Sequence, residues 1–242
     1  MVRLHTNTGI VGVGESYPGT EAHVGALKEL VRMVIGRDPT NIERLWQDVF
    51  YQISYKPWGG ADTRMLTAIN IAQWDILGKA AGMPLYKLLG GKVQDRLLVY
   101  NTMNGWTING MREFDAPEKV TEFLLARGIR GIKIYPYDRG PVNALGRHGG
   151  TFITRDELAG SLDIVKRIRN TAGDKIEIAV DLSSRWNLPC SLQIAHSLEP
   201  YGIMYLEDPM LPDNLEAYAI LGYGAAHRVG MGSQVRSFQV FI

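Results

Sequence analysis

Ile176-Glu177-Ile178-Ala179-Val180-Asp181 and Ile203-Met204-Tyr205-Leu206-Glu207 decide how this chain folds. Each is a short apolar run closed by a carboxylate. Near-continuous apolar runs of this length are the pattern of strands buried on both faces. The segment between them is long enough for a helix, and the span from Asp181 to Glu207 fits one strand–helix–strand unit of roughly 30 residues. Parallel neighbours connected in this way bring both strand ends to one rim. In β/α barrels the chemistry sits on that C-terminal rim, and two hard oxygen donors there suit a Mg2+-type cation.

Further strands are expected at residues 97–101, 131–135 and 228–232, with helical segments between them. The helix from Thr154 opens with the capping-box pattern Thr154-x-x-Glu157 and turns Leu158, Leu162, Val165 and Ile168 inward. Alternating strands and helices imply a parallel sheet. Five strands are readable, and residues 97–242 fall well short of the ~250 residues that eight such units occupy. The expected fold is therefore α/β, with either a small open sheet or part of a TIM-type barrel.

Ahead of residue 95 the rhythm differs. Val2 and Leu4 share one face, Asn7-Thr8-Gly9 supplies a turn, and residues 10–14 read as the second strand of a hairpin. Leu27, Leu30, Val31 and Val34 recur at helical spacing over residues 21–35, with Gly36 as a stop and Pro39 beyond. Thr40-Asn41-Ile42-Glu43 fits a capping box for the next helix, to about residue 50. A loop rich in aromatics and glycine follows, then a long helix over residues 61–81 ended by Gly82. This front part is an α+β unit.

Composition excludes several classes. Of 242 residues, 45% are hydrophobic and 21% charged, which is ordinary for a globular chain. A net charge of +1 points to neither nucleic acid nor an anionic membrane. No apolar run approaches the ~20 residues that cross a bilayer, and the first residues lack the apolar core of a signal peptide. Cys190 stands alone, so no intrachain disulfide forms. A cytoplasmic location is the expectation.

Taken in order, Gly9-Ile10-Val11-Gly12-Val13-Gly14-Glu15, Ile35-Gly36-Arg37-Asp38-Pro39, Ala72-Gln73-Trp74-Asp75-Ile76-Leu77-Gly78-Lys79 and Pro84-Leu85-Tyr86-Lys87-Leu88-Leu89-Gly90-Gly91 resemble the capping domain of the enolase superfamily, mandelate racemase branch. Gly131-Ile132-Lys133-Ile134, Val180-Asp181 and Leu206-Glu207-Asp208-Pro209 extend the resemblance into the back part. The resemblance implies an enolase-like capping domain over residues 1–94, and over residues 95–242 an incomplete (β/α) barrel of about five strands. Members usually begin with a strand ahead of Val2 and continue for three more barrel strands, so truncation at both ends is the expectation.

The chemistry implied is abstraction of the proton next to a carboxylate with Mg2+ as cofactor, most simply dehydration of a sugar acid. A racemase or epimerase shares its first step. Asp181 and Glu207 would hold the metal. Asp181 read by itself serves equally as a helix N-cap after a strand. Asp208 would point away from Glu207 if the strand continued, to hold a loop or a nearby cation. The third ligand position falls on Gln234, whose amide oxygen carries no charge. Lys133 and Tyr135 share a strand face, and the resemblance gives Lys133 the substrate carboxylate and puts Tyr135 where a base would stand. A phenol with a pKa near ~10 is a poor base at neutral pH, so Tyr135 would donate to a leaving group or simply pack. Tyr17, Trp58 and Arg185 would contact substrate. His148 reads as a solvated loop residue and His196 as a surface or packing residue. Self-association through the capping domain is implied as well. Two readings of other classes remain: a non-catalytic fragment that pairs with another chain, and a complete small α/β binding module.

Overall fold

The computed structural model describes residues 1–17, 19–55, 60–103, 107–138, 148–225 and 228–230. The chain divides into two compact units, the first over Met1–Asp95 and the second beginning at Arg96.

In the first unit β1 (Val2–His5) and β2 (Val11–Gly14) pair antiparallel, with Val2 opposite Gly14 and His5 opposite Val11. Gly9 closes the turn between them with φ 84°, a conformation that costs glycine nothing. Three long helices follow, α1 (Glu21–Val34), α2 (Ile42–Ile53) and α3 (Ala61–Ala81), and then a single helical turn at Leu85–Leu88. Leu30, Leu45, Val49, Leu66 and Ile69 meet in the core they enclose. The expected capping box at Thr40 does not form. Asp38 takes the Thr40 backbone N–H and hydroxyl at 2.8 and 2.7 Å, so α2 starts from Asn41, whose side chain caps nothing.

The family-like motifs of this unit have a physical reading. Ala68, Ala72 and Ile76 recur every fourth residue on α3, so they share one face, and that face lies on β2. The approach leaves no room for side chains. A Cβ at Gly14 would collide with the carbonyl oxygen of Ala68, and one at Gly12 with that of Ala72. Asp75 Oδ2 then accepts the Val13 N–H at 2.9 Å, while Lys79 donates to Asp75 at 2.6 Å and to the Val11 carbonyl at 2.7 Å. Helix and hairpin are thus joined by glycines that permit contact and by an ion pair that satisfies strand backbone. Gly82, left-handed at φ 64°, ends α3 with its N–H on the Gly78 and Lys79 carbonyls.

In the second unit five parallel strands run in the order β3 (Asn101–Thr102), β4 (Gly131–Ile134), β5 (Glu177–Asp181), β6 (Tyr205–Glu207) and β7 (Val229–Gly230). Among the described residues the helices that connect them include α4 (Pro117–Ala126), α5 (Arg155–Ala172), α6 (Leu188–Leu198) and α7 (Leu215–Gly224). The sheet with its helices is an α/β layer of the barrel type. The first strand is shorter than the expected 97–101. Only Asn101 and Thr102 find ladder partners, and Leu97, Leu98, Val99 and Tyr100 are exposed beside them.

Alternation sorts the two faces of the sheet. Ile132, Ile134, Ile178, Val180 and Leu206 pack on the helices together with Val120, Leu124, Ile164, Val165, Ile168, Ile194 and Leu198. The capping box at Thr154 does form, with both reciprocal bonds to Glu157. At the other end of α5, Arg169 donates to the carbonyls of Tyr201, Gly173, Ile176 and Gly202 at 2.7 to 3.3 Å. One guanidinium therefore ties the loops that feed β5 and β6.

The helix–hairpin contact gives a sign test. Gly14→Ala is expected to destabilise the first unit by about 3 kcal/mol through overpacking against backbone. Gly25→Ala, on α1 with no atom near its added Cβ, is expected to stabilise by up to about 1 kcal/mol through helix propensity. Thermal unfolding of both variants checks this, and equal shifts would refute the close approach.

Candidate active site

Register builds the site. Lys133 lies opposite Ala179, and Asp181 opposite Glu207, so the residues on the face turned away from the helices converge. Lys133 Nζ stands 2.8 Å from Glu207 Oε2 and 3.1 Å from Asp181 Oδ2. The three side chains are only 8%, 16% and 8% exposed in that order, so the charges meet largely out of water. Burial by itself would lower the Lys133 pKa, but the hydrogen bond to Glu207 and the charges of Asp181 and Glu207 outweigh it and hold the ammonium protonated well above the ordinary lysine range.

Tyrosines surround this cation. The rings of Tyr135 and Tyr100 have centroids 5.6 and 5.9 Å from Lys133 Nζ, and Tyr100 meets Tyr205 edge-on at 6.2 Å. Burial, then the charge of Asp181, pushes the Tyr135 phenol up to about 12. Burial, the Tyr100 hydrogen bond and the Glu207 charge raise Tyr205 as well. Tyr205 precedes Glu207 by two residues, so the same alternation that marks Glu207 would have placed it on this face; Tyr100 carries no such signal.

The turn after β5 fixes Asp181. Its Oδ1 accepts the Ser183 N–H at 2.8 Å. The N-cap of α6 is Asn187, which accepts from Cys190 N at 3.0 Å, so Asp181 has no capping role. Ser183 and Ser184 are both left-handed, with φ of 54° and 59°. Asp208 is left-handed too, at φ 43°, because β6 ends at Glu207 instead of continuing. Its carbonyl accepts the Ser184 N–H at 2.6 Å and its own N–H reaches the Gly230 carbonyl at 2.9 Å. The side chain is buried, in a loop that knits three strand ends together.

The other expected site residues fare differently. Arg185 is exposed on the turn after β5, beside the buried carboxyl of Asp138. Tyr17 is exposed in the first unit, where its carbonyl accepts from Arg64. Trp58 and Gln234 lie outside the described residues. His148 is not simply solvated: its Nε2 is 3.2 Å from Glu157 Oε1 and its ring meets Phe152 edge-on. His196 packs at the surface, its Nε2 2.9 Å from the Gly224 carbonyl.

Asp181 and Glu207 offer two neighbouring, anionic, hard oxygen donors that already gather a cation between them. That chemistry fits a Mg2+-type ion, which binds through one or two carboxylates and fills the rest of its shell with water or substrate oxygens. Among the described residues no third acidic, His or Cys side chain completes a cluster.

Residues 115–242 match the family model of enolase C-terminal domain-like proteins, and residues 1–90 match that of the mandelate racemase / muconate lactonizing enzyme N-terminal domain. The chain belongs to this family of the enolase superfamily. It is 30% identical over 239 residues to the D-gluconate dehydratase of Thermoproteus tenax, covering 98% of this chain and 46% of that protein. It is 33% identical over 234 residues to the D-mannonate dehydratase of Xanthomonas oryzae pv. oryzicola, covering 91% and 55%. The crystal structure of a mandelate racemase subgroup enolase from Agrobacterium tumefaciens matches with a TM-score of 0.82 at 32% identity, covering 94% of this chain and 57% of that one. The chain thus spans about half the length of the curated relatives it matches.

Removing the cation tests the electrostatics. Lys133→Met leaves two buried carboxylates facing each other and is expected to cost about 3 kcal/mol. The raised Lys133 pKa means its stabilisation is fully present below the unfolded lysine value near ~10.4 and is lost only as pH rises through the higher folded value. Across neutral pH the wild-type term is therefore flat. Adding Asp181→Asn and Glu207→Gln should restore much of the loss at neutral pH. Urea unfolding between pH 5 and 8 measures all three.

Proposed function

We propose that this site binds a sugar acid by its carboxylate together with a Mg2+-type cation, and removes water after the proton on the neighbouring carbon is abstracted. The observation that carries this reading is the buried meeting of Lys133 with Asp181 and Glu207 at the C-terminal ends of three adjacent parallel strands. The names of the relatives, dehydratases of gluconate and mannonate, support the substrate class.

Asp181 and Glu207 would hold the cation. When bound, such an ion supplies positive charge where electron density gathers on the substrate carboxylate as the proton leaves. Lys133 adds a second positive charge beside that carboxylate; Glu207 and Asp181 engage two of its three N–H donors, which leaves one for substrate. Its ion pairs with Asp181 and Glu207 hold it at the site before substrate arrives, and a cation bound to those carboxylates would take over part of that contact. Tyr135, with its pKa pushed up to about 12, keeps its proton at neutral pH. Its part is therefore donation, to a substrate hydroxyl or to the departing one, and not proton abstraction; with Lys133 held protonated as well, the proton leaving carbon would pass to a base other than these side chains. Burial of the three charges strengthens every one of these contacts relative to water.

The test is turnover of gluconate, galactonate and mannonate by the whole chain with Mg2+ in D2O, followed by NMR. Loss of water across C2 and C3 leaves an enol that takes up deuterium at C3, giving a 2-oxo-3-deoxy acid. That product, abolished by Asp181→Ala, is the expected result. Deuterium at C2 with inverted configuration and no oxo acid would make the site an epimerase. Neither product, with no Mg2+ binding by calorimetry, would leave the chain non-catalytic.

A further inference from the structure

Asp138 is a buried carboxyl that the proposed chemistry leaves without a part. It lies five residues beyond Lys133 on the segment leaving β4 and is 6% exposed. Trp186 Nε1 donates to its Oδ1 at 3.2 Å, and among the described residues Oδ2 has no partner within bonding geometry. Burial raises its pKa; the Ser183 hydroxyl, the Trp186 indole and the Arg185 charge pull the other way, and the Asp181 charge adds to the rise. All four of these neighbours belong to the stretch from Asp181 to Trp186.

That stretch is strained. Two consecutive serines in the left-handed region are uncommon, and each costs of order 1–3 kcal/mol. The conformation matters because it turns the Ser183 N–H onto Asp181 Oδ1 and leaves Oδ2 for Lys133 or another cation. Asp138 reaches this turn from β4's side and holds its far end through the Trp186 indole N–H.

We propose that Asp138 is a positioning residue: by clamping the Ser183–Trp186 turn it sets the orientation of the Asp181 carboxylate, and so the affinity of the site for a divalent cation. The inference rests on the reading of Asp181 and Glu207 as metal ligands. Asp138 acts by accepting a hydrogen bond through Oδ1, so an amide, which keeps that acceptor oxygen, should replace it and an alkyl side chain should not. Partners that orient metal ligands typically contribute 10- to 100-fold in affinity.

The experiment is Mn2+ binding to the full chain by calorimetry, with near-ultraviolet circular dichroism and thermal melting on each variant. Asp138→Leu is expected to weaken Mn2+ binding about 10-fold or more while remaining folded, and Asp138→Asn to stay within about 3-fold of wild type. Should Asp138→Leu fail to fold, Trp186→Phe removes the indole N–H while keeping an aromatic ring at the site, and is expected to weaken binding several-fold. Wild-type affinity in a folded Asp138→Leu, or in Trp186→Phe where the leucine variant does not fold, overturns the clamp. Loss in Asp138→Asn as large as in Asp138→Leu overturns it as a hydrogen-bond clamp. Wild-type protein that does not bind Mn2+, or binds it equally after Asp181→Ala, overturns the metal reading itself and this inference with it. The two failures are distinguished by the wild-type titration.

Discussion

The in-register pairing of β5 with β6, which sets Asp181 directly opposite Glu207 with Lys133 reaching between them, is the constraint on which the second unit depends. Taking three charges out of water costs several kcal/mol for each ion, and their mutual attraction offsets that only when the geometry is good. Such a cluster adds little net stability. The stabilising work falls to the other face, where each fully buried Ile, Val or Leu contributes roughly 1.5–3 kcal/mol. Because side chains alternate with period two, a slip of one residue in β5 would exchange Val180 for Asp181 against the helices. The apolar face and the charged face therefore enforce one register together, and Arg169 secures it at the entering end of both strands.

The first unit obeys a different constraint, the closeness of a helix to a strand. Its motifs are legible in the sequence as a resemblance but not as a mechanism. Gly12 and Gly14 look like flexible strand residues until Ala68 and Ala72 are found against them. Asp75 and Lys79 look like an exposed helical ion pair of the kind worth a few tenths of a kcal/mol. In place, they also bind Val13 N–H and Val11 O. That makes the pair a backbone fixture of the hairpin as well as a surface contact.

Elsewhere legibility follows whether a signal is local. The site carboxylates and Lys133 are readable because strand ends and alternation are local patterns. The two capping-box patterns show the limit of such reading. Thr154-x-x-Glu157 forms, since the His148 contact takes Glu157 Oε1 and leaves Oε2 on the Thr154 N–H. Thr40-x-x-Glu43 does not, since Asp38 two residues earlier captures the threonine. Residues 97–100 carry a strand-like composition, yet only Asn101 and Thr102 join the ladder, because a strand needs a neighbour and composition does not supply one. Asp138 is invisible for the same reason: its importance comes from Trp186 and Ser183, nearly fifty residues away, and no spacing rule connects them.

Strain at the rim completes the argument. Four non-glycine residues among those described have positive φ: Asn109, Ser183, Ser184 and Asp208. Asn109 needs no special account, since Asn109-Gly110 is the residue pair that a tight two-residue hairpin turn prefers, and the bridge between Ile108 and Met111 closes it. Serine has no such preference, and Ser183 and Ser184 adopt it in succession directly after Asp181. Asp208 does so directly after Glu207. Each is held by a hydrogen bond reaching across the sheet end or back to the carboxylate: Ser183 N to Asp181, Ser184 N to the Asp208 carbonyl, Asp208 N to the Gly230 carbonyl. Strain persists only where the surroundings over-determine it, and here they do so through the strand register. The same pairing that faces the two carboxylates toward each other also supplies the partners that keep their following turns out of relaxed geometry, so the shape of the rim and the spacing of its charges are set by one cause.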